Sequence, residues 1–158
     1  GLISRRGMDL EKSFAGFKQI VVGCDFHKET VSVTQQAAAF AQAFQAPLHL
    51  VHVMESPVNE EMVDSMEAPY GEVQKNLVGK IKLRLAELPS ADIRNRPDIR
   101  TDVLTGLPAE EMVAYVRHHH ADLLVVGVRR HSGLGKIIIG SSTEAILRKA
   151  PCAVLAVP

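Results

Sequence analysis

Residues 123–127 read LLVVG, an uninterrupted apolar run that ends in glycine, and residues 20–23 read IVVG in the same way. Neither run alternates between apolar and polar residues. This pattern is typical of strands that are buried on both faces of a parallel sheet. Such strands occur in α/β proteins, where helices cover both faces of the sheet.

Three further apolar runs, at residues 48–54, 99–104 and 152–157, complete a set of five. The segments between them have helical periodicity, so the chain alternates strand and helix throughout. The segment from about Tyr70 repeats apolar residues every three or four positions, which predicts that all of these pack on the core: Val73, Leu77, Ile81, Leu85 and Leu88. Pro108 suits the first turn of a third helix, and a fourth is predicted from Ser142 to Lys149. The prediction is a single doubly wound α/β domain.

Composition excludes several classes of function. Lys plus Arg and Asp plus Glu each number 18, so the net charge is zero and no overall field attracts nucleic acid or anionic membrane. The uncharged stretch from residue 30 to 54 contains four glutamines and Pro47, which argues against a membrane span. Cys24 and Cys152 lack metal-ligand spacing, which favours reduced, buried thiols and a cytoplasmic protein. Residues 1–16 are predicted to be an N-terminal extension, and the domain spans residues 17–158.

Parallel sheets bind ligands beyond the carboxyl ends of their strands, so the residues that follow each strand are candidate site residues. Gly140, Ser141 and Ser142 enter a helix there, and the unpaired N–H groups of a helix N-terminus suit a phosphate. An alternative is that Ser141 and Glu144 form a capping box, which needs no ligand. No P-loop, no Gly-x-Gly-x-x-Gly after the first strand and no catalytic triad can be assembled, so no reaction is predicted.

Taken together, several segments make the chain resemble the universal stress protein family from about Lys18 to Pro158. The segments that carry this resemblance are the first strand with its terminal Asp25, the second strand at residues 50–53, residues 122–127, the loop through Gly140 and Ser141, and residues 150–157. The resemblance implies a five-stranded parallel sheet of order 3-2-1-4-5 and homodimers. In one branch of the family it also implies ATP bound by a Gly-x2-Gly-x9-Gly-[Ser/Thr] loop. Here Gly127, Gly140 and Ser141 match that loop, whereas Arg130 stands where the second glycine belongs.

The resemblance also implies roles for individual residues at the ends of strands 1, 2 and 4. Asp25 would accept hydrogen bonds from the ribose, and the backbone of Val53 would meet the adenine. The predicted nucleotide-binding set is Asp25, Val53, Val126, Gly127, Arg129, Arg130, Gly140, Ser141 and Ser142. Two alternatives stay open: Asp25 could cap the following helix, and the arginines could belong to a solvated basic loop.

Our first hypothesis is a regulatory protein that binds an adenine nucleotide, ATP with or without Mg²⁺, and does not turn it over rapidly. The second, motivated by Arg130, is a nucleotide-free dimeric interaction protein of the stress response. A third, a slow ATPase, lacks an identifiable general base.

The last strand predicts the dimer interface. Residues Cys152 to Val157 are uncharged and would form a sheet edge, where unpaired backbone groups invite another chain. We therefore expect a homodimer through this strand. The alternative is an edge covered by the chain's own N-terminal arm, Gly1 to Ala15.

Overall fold

A computed structural model describes residues 2–4, 16–55, 69–130 and 137–158. The eight strands in these ranges are β1 (Leu2–Ser4), β2 (Ile20–Gly23), β3 (Leu48–Met54), β4 (Ile99–Thr105), β5 (Leu123–Gly127), β6 (Arg129–Arg130), β7 (Ile137–Ile138) and β8 (Ala153–Val157). The five helices are α1 (Thr30–Phe44), α2 (Pro69–Glu87), α3 (Ala91–Arg94), α4 (Pro108–His118) and α5 (Ser141–Lys149). None of these helices is long and apolar enough to cross a bilayer.

The main sheet has the order β1-β8-β5-β2-β3-β4. Strands β2, β3, β4, β5 and β8 pair in parallel, which confirms the predicted five-stranded sheet of order 3-2-1-4-5. The bounds of β2 (Ile20–Gly23) and β5 (Leu123–Gly127) coincide with the apolar runs IVVG and LLVVG. Strands β6 and β7 form a separate two-stranded ribbon.

Two apolar clusters lie on the opposite faces of this sheet. On one face, α1 packs on β2 and its neighbours and α2 packs on β3 and β4, through residues such as Val33, Ala37 and Leu85. On the other face, α4 and α5 contribute Met112, Val116, Ile146 and neighbouring side chains. The central strands are buried on both faces, as their unalternating sequences predict.

The prediction that the apolar residues of α2 all pack on the core is correct only for the C-terminal half of the helix. Ile81 and Leu85 are buried, but Val73 is 65% exposed and Leu77 is 49% exposed. The helix covers the sheet only in its C-terminal half, because the spacing of apolar residues does not say how far a helix overlaps its partner. A short helix at Ala91–Arg94, absent from the sequence prediction, follows it.

The expectation of a free sheet edge at β8 is wrong. Strand β1 pairs antiparallel with β8, with Leu2 opposite Ala156, Ile3 opposite Leu155 and Ser4 opposite Val154. Part of the predicted extension at residues 1–16 therefore belongs to the sheet. On this side β8 is paired with the chain itself at Val154, Leu155 and Ala156, which is the alternative that the sequence left open.

A buried polar chain links β3, β4 and α4 on the face away from α1. The Tyr115 hydroxyl donates to the Asp102 carboxylate, so Nδ1 of His49, 2.9 Å from the Tyr115 oxygen, must carry the proton that it donates to Tyr115. The His119 ring lies against Tyr115, with ring centroids 4.1 Å apart. Burial lowers the pKa of His49, and the nearby His119 and Arg100 lower it further.

Because the folded protein lowers the pKa of His49, we expect it to lose stability in mild acid. The pKa of an unfolded histidine is about 6.5, and the folded value for His49 lies below it, so only the unfolded state takes up this proton just below pH 6.5. We expect the free energy of unfolding, measured by urea titration, to fall as the pH drops from 6.5 toward the lowered pKa. His49→Gln, which cannot titrate, should show a shallower decline. An unchanged decline in this variant would assign the effect to other groups.

Candidate functional site

A cavity of about 620 Å³ opens at the carboxyl edge of the parallel sheet. It lies where the winding reverses, because β2 is flanked by β3 on one side and β5 on the other. Ligands of doubly wound folds bind at this switch point. The cavity has the size of sites that hold small organic ligands.

Asp25 follows β2 and is fixed within its own loop. Its Oδ1 accepts hydrogen bonds from the backbone N–H of His27 at 3.1 Å and from the Thr30 hydroxyl at 2.7 Å. The intervening Phe26 has a positive φ of 59°, a conformation that costs free energy in a residue with a side chain. Asp25 thus orders the start of α1, although the residue before the helix is Glu29. The second oxygen of this exposed carboxylate, Oδ2, lies 3.9 Å from Nε2 of His27.

His52 lines the cavity beside Asp25 and continues the pairing of β2 with β3. Its Nδ1 lies 2.7 Å from the Cys24 carbonyl oxygen, so this nitrogen donates a proton and Nε2 is the nitrogen left for other contacts. The ring packs against Phe26, with centroids 4.8 Å apart. The neighbouring Cys24 thiol is inert at neutral pH, because burial raises its pKa to about 12.

The start of α5 forms the opposite wall. Gly140 is the N-cap of this helix and, as glycine, has no side chain with which to cap the first turn. The N-cap is Gly140 and not Ser141, so Ser141 lies inside the helix and the predicted capping box with Glu144 is wrong. Glu144 pairs with Arg148 at 3.3 Å. The N–H groups of the first turn have no partner within the helix and carry its partial positive charge.

Gly127 at the end of β5 packs closely against α1. A Cβ on this residue would lie 3.3 Å from Cγ2 of Val33 on α1. Its carbonyl oxygen is 3.4 Å from the Thr143 hydroxyl, which ties the end of β5 to the first turn of α5. An alanine at this position would require Val33 to move by a few tenths of an ångström.

Seven of the nine residues predicted from the sequence line this one cavity: Asp25, Val53, Val126, Gly127, Gly140, Ser141 and Ser142. Arg129 and Arg130 form strand β6, whose backbone pairs with β7, and their side chains lie outside the described part of the structure. His131 to Lys136 also lie outside the described residues.

The sequence did not reveal several other residues that line the cavity: His27, Glu29, Thr30, His52, Pro108, Met112, Thr143 and Ile146. Of these, Thr30, Pro108 and Thr143 stand in the first turns of helices, which is the one signal that could have pointed to them. Met112 and Ile146 look like ordinary core residues in the sequence. Among the described residues, no cluster of three or more His, Cys, Asp or Glu could hold a metal ion.

Fold and cavity define a doubly wound α/β protein with a small-ligand cavity at the switch point of its parallel sheet. The model of the universal stress protein family matches residues 16–158. The chain therefore belongs to the universal stress protein family.

Relatives agree with this assignment along nearly the whole chain. A universal stress protein of Methanocaldococcus jannaschii is 26% identical over 141 residues, which cover 89% of this chain and 82% of that protein. Universal stress protein A homolog 1 of Coxiella burnetii is 28% identical and is matched over 96% of its length, again by 89% of this chain.

Solved structures share the fold. A universal stress protein in complex with cAMP superimposes with a TM-score of 0.66 at 24% identity, over 90% of this chain and 98% of that one. A universal stress protein of Archaeoglobus fulgidus in complex with dAMP gives a TM-score of 0.57 at 17% identity, over 88% of this chain and 96% of that one.

Proposed function

We propose that this protein binds an adenine nucleotide in the cavity at the carboxyl edge of the sheet, with ATP as a regulatory ligand. The observation that carries the proposal is the uncapped start of α5, which faces the same cavity as Asp25 and Val53. A nucleotide needs a site for its phosphates, a partner for its ribose hydroxyls and an edge for its base. The start of α5 suits the phosphates, Asp25 suits the ribose hydroxyls and the backbone of Val53 suits the base.

The chemistry of each wall supports this assignment. The first turn of α5 offers N–H donors and the hydroxyls of Ser141 and Ser142 to an anion. Oδ2 of Asp25 would accept from a ribose hydroxyl, because Oδ1 already accepts from Thr30 and His27, and Nε2 of His27 lies 3.9 Å from Oδ2. Complexes of related folds with cAMP and dAMP agree with an adenine nucleotide as the ligand class. Any Mg²⁺ would be held mainly by phosphate oxygens and water, as is usual for this ion.

We infer that the nucleotide is bound without fast turnover, because the sequence offers no identifiable general base. The histidines among the described lining residues are His27, whose Nε2 lies 3.9 Å from Oδ2 of Asp25, and His52, whose Nδ1 is bonded to a carbonyl oxygen. The direct test is to denature the purified protein and to analyse the released nucleotide by chromatography. We expect adenine nucleotide, together with a rise in melting temperature on adding ATP. Absence of both results would favour the nucleotide-free interaction protein.

Asp25 provides a residue-level test of the ribose contact. Asp25→Ala should weaken ATP binding by about 1–3 kcal/mol, since it removes a charged hydrogen-bond acceptor. Asp25→Asn is the matched control for the loop, because its amide oxygen can still accept from Thr30 and His27. Calorimetric titration should show a loss in both variants. If Asp25→Asn binds ATP as the wild type does, the second carboxylate oxygen does not contact the nucleotide.

A further inference from the structure

The backbone N–H and C=O groups of Val53 lie one step beyond the hydrogen bonds that join β2 to β3. Gly106 donates its N–H to the Met54 carbonyl oxygen at 3.0 Å, so Met54 directs its backbone groups toward β4. Successive residues of a strand direct these groups to opposite sides, so those of Val53 face the side of β2. On that side, the Cys24 N–H donates to the Val51 carbonyl oxygen at 2.8 Å, and within the described residues this is the last backbone hydrogen bond of the pair.

The acceptor that Val53 would have if β2 were longer is the Cys24 carbonyl oxygen. In a parallel ladder, a residue that donates to one residue of the neighbouring strand accepts from the N–H two positions further along that strand. Cys24 donates to Val51, so its oxygen would accept from Val53. Instead, this oxygen lies 2.7 Å from Nδ1 of His52 and accepts from the imidazole. His52 therefore replaces the Val53 N–H as the donor to Cys24.

Two neighbours hold the His52 ring in place. The Phe26 ring packs against it, with centroids 4.8 Å apart, and the guanidinium carbon of Arg84 on α2 lies 4.3 Å from the centroid of the Phe26 ring. Aromatic and cation–π contacts of this kind restrict the orientation of a ring. The positive φ of Phe26, 59°, also takes the chain out of the extended conformation that a continuing β2 would need.

We propose that His52 is a positioning residue for the nucleotide: by donating to the Cys24 carbonyl oxygen, it keeps the Val53 N–H unpaired and available to the base. The proposal rests on the proposed function, in which the backbone of Val53 meets the base. An N–H that is already paired within the protein contributes little to binding, because one hydrogen bond must break for another to form. His52 acts through Val53 and determines whether the base finds a donor there.

Amide hydrogen exchange, followed by NMR on the protein without nucleotide, tests the effect of His52 on Val53. In the wild type, the Val53 amide should exchange fast, whereas that of Val51, within the paired part of β3, should be protected. His52→Phe keeps a ring against Phe26 but has no N–H to donate. The Cys24 carbonyl oxygen should then accept from Val53 and slow its exchange by about tenfold or more.

His52→Asn is the matched variant for this experiment. Its side-chain N–H can donate to Cys24 as Nδ1 of His52 does, although the ring is lost. The Val53 amide should therefore exchange as fast in His52→Asn as in the wild type. Circular dichroism establishes that both variants are folded.

Calorimetric titration with ATP and with inorganic triphosphate tests the consequence for binding. His52→Phe should bind ATP about tenfold more weakly, because the base must displace a hydrogen bond within the protein. Inorganic triphosphate has no base and should bind to His52→Phe as it does to the wild type. His52→Asn should restore most of the affinity for ATP, which loss of ring packing alone would not explain.

Three results would overturn the proposal. The first is a Val53 amide that is as protected as that of Val51 in the wild type. The second is a His52→Phe variant that matches the wild type in both Val53 exchange and ATP affinity. The third is a folded His52→Asn variant that changes both properties as much as His52→Phe does. If the exchange rates are as expected and no variant binds ATP, the role of His52 at Val53 is supported and the proposed function is contradicted.

Discussion

Gly140→Asp is expected to abolish tight ATP binding while leaving the fold as stable as before. Gly140 has φ −69° and ψ 159°, and a Cβ on it would meet nothing within 4 Å, so the new side chain fits without strain. Aspartate is a preferred residue before a helix, where it accepts hydrogen bonds from the first turn. The same carboxylate would occupy the N–H groups that we assign to the phosphates and would repel their negative charge.

The expected loss is about 100-fold in affinity, or about 2.7 kcal/mol, because a phosphate and a carboxylate would lie only a few ångströms apart. Calorimetric titration with ATP measures this loss, and thermal melting without ligand should show an unchanged or slightly higher midpoint. Gly140→Asn is the matched control, since it caps the same N–H groups without a charge and should lose less affinity. If the wild type, Gly140→Asp and Gly140→Asn bind ATP equally well, the start of α5 does not contact the nucleotide.

Leu85→Ala is expected to lower the free energy of unfolding by about 2–5 kcal/mol. Leu85 is 0% exposed and belongs to the cluster that joins α2 to the sheet, so its loss leaves a cavity. Leu77→Ala is the matched control on the same helix, because Leu77 is 49% exposed. That change should alter stability by about 0.5 kcal/mol or less.

Urea unfolding of Leu85→Ala and Leu77→Ala distinguishes the prediction made from the sequence from the one made from the structure. Helical periodicity assigns Leu77 and Leu85 to one core stripe and predicts similar losses. The structure predicts that only Leu85 matters. Similar large losses in both variants would mean that Leu77 packs against part of the chain outside the described residues.

The candidate site could be predicted where its residues follow strands. Asp25, Val53 and Gly127 come directly after or at the ends of apolar runs, and parallel strands bring such positions to one edge. The lining residues of α4 and α5 could not be predicted in this way. Met112 and Ile146 face the cavity only because of where those helices cross the sheet, and nothing in their local sequence distinguishes them from other core residues.

Capping and polar pairing also depended on the assembled structure. Ser141 and Glu144 have the spacing of a capping box, yet Glu144 pairs with Arg148 and leaves the first turn open. His49 and Tyr115 are 66 residues apart, and no local pattern connects them. The contact between His49 and Tyr115 is set by how α4 packs on β3, which sequence spacing does not encode. Glu144 and Arg148, by contrast, are neighbours one turn apart on the same helix.

The sequence by itself determined the strand and helix order, because burial on both faces removes the polar alternation from each strand and amphipathic spacing persists in each helix. Together with the family resemblance, it also determined the order of the parallel strands and most of the cavity's strand-end residues. Only the tertiary structure decided that β1 covers β8, that α2 leaves Val73 and Leu77 exposed, and that α5 begins uncapped. The first two features depend on which distant element comes within a few ångströms, and the third depends on whether the helix begins at Ser141 or after it; the local periodicity of the sequence fixes neither.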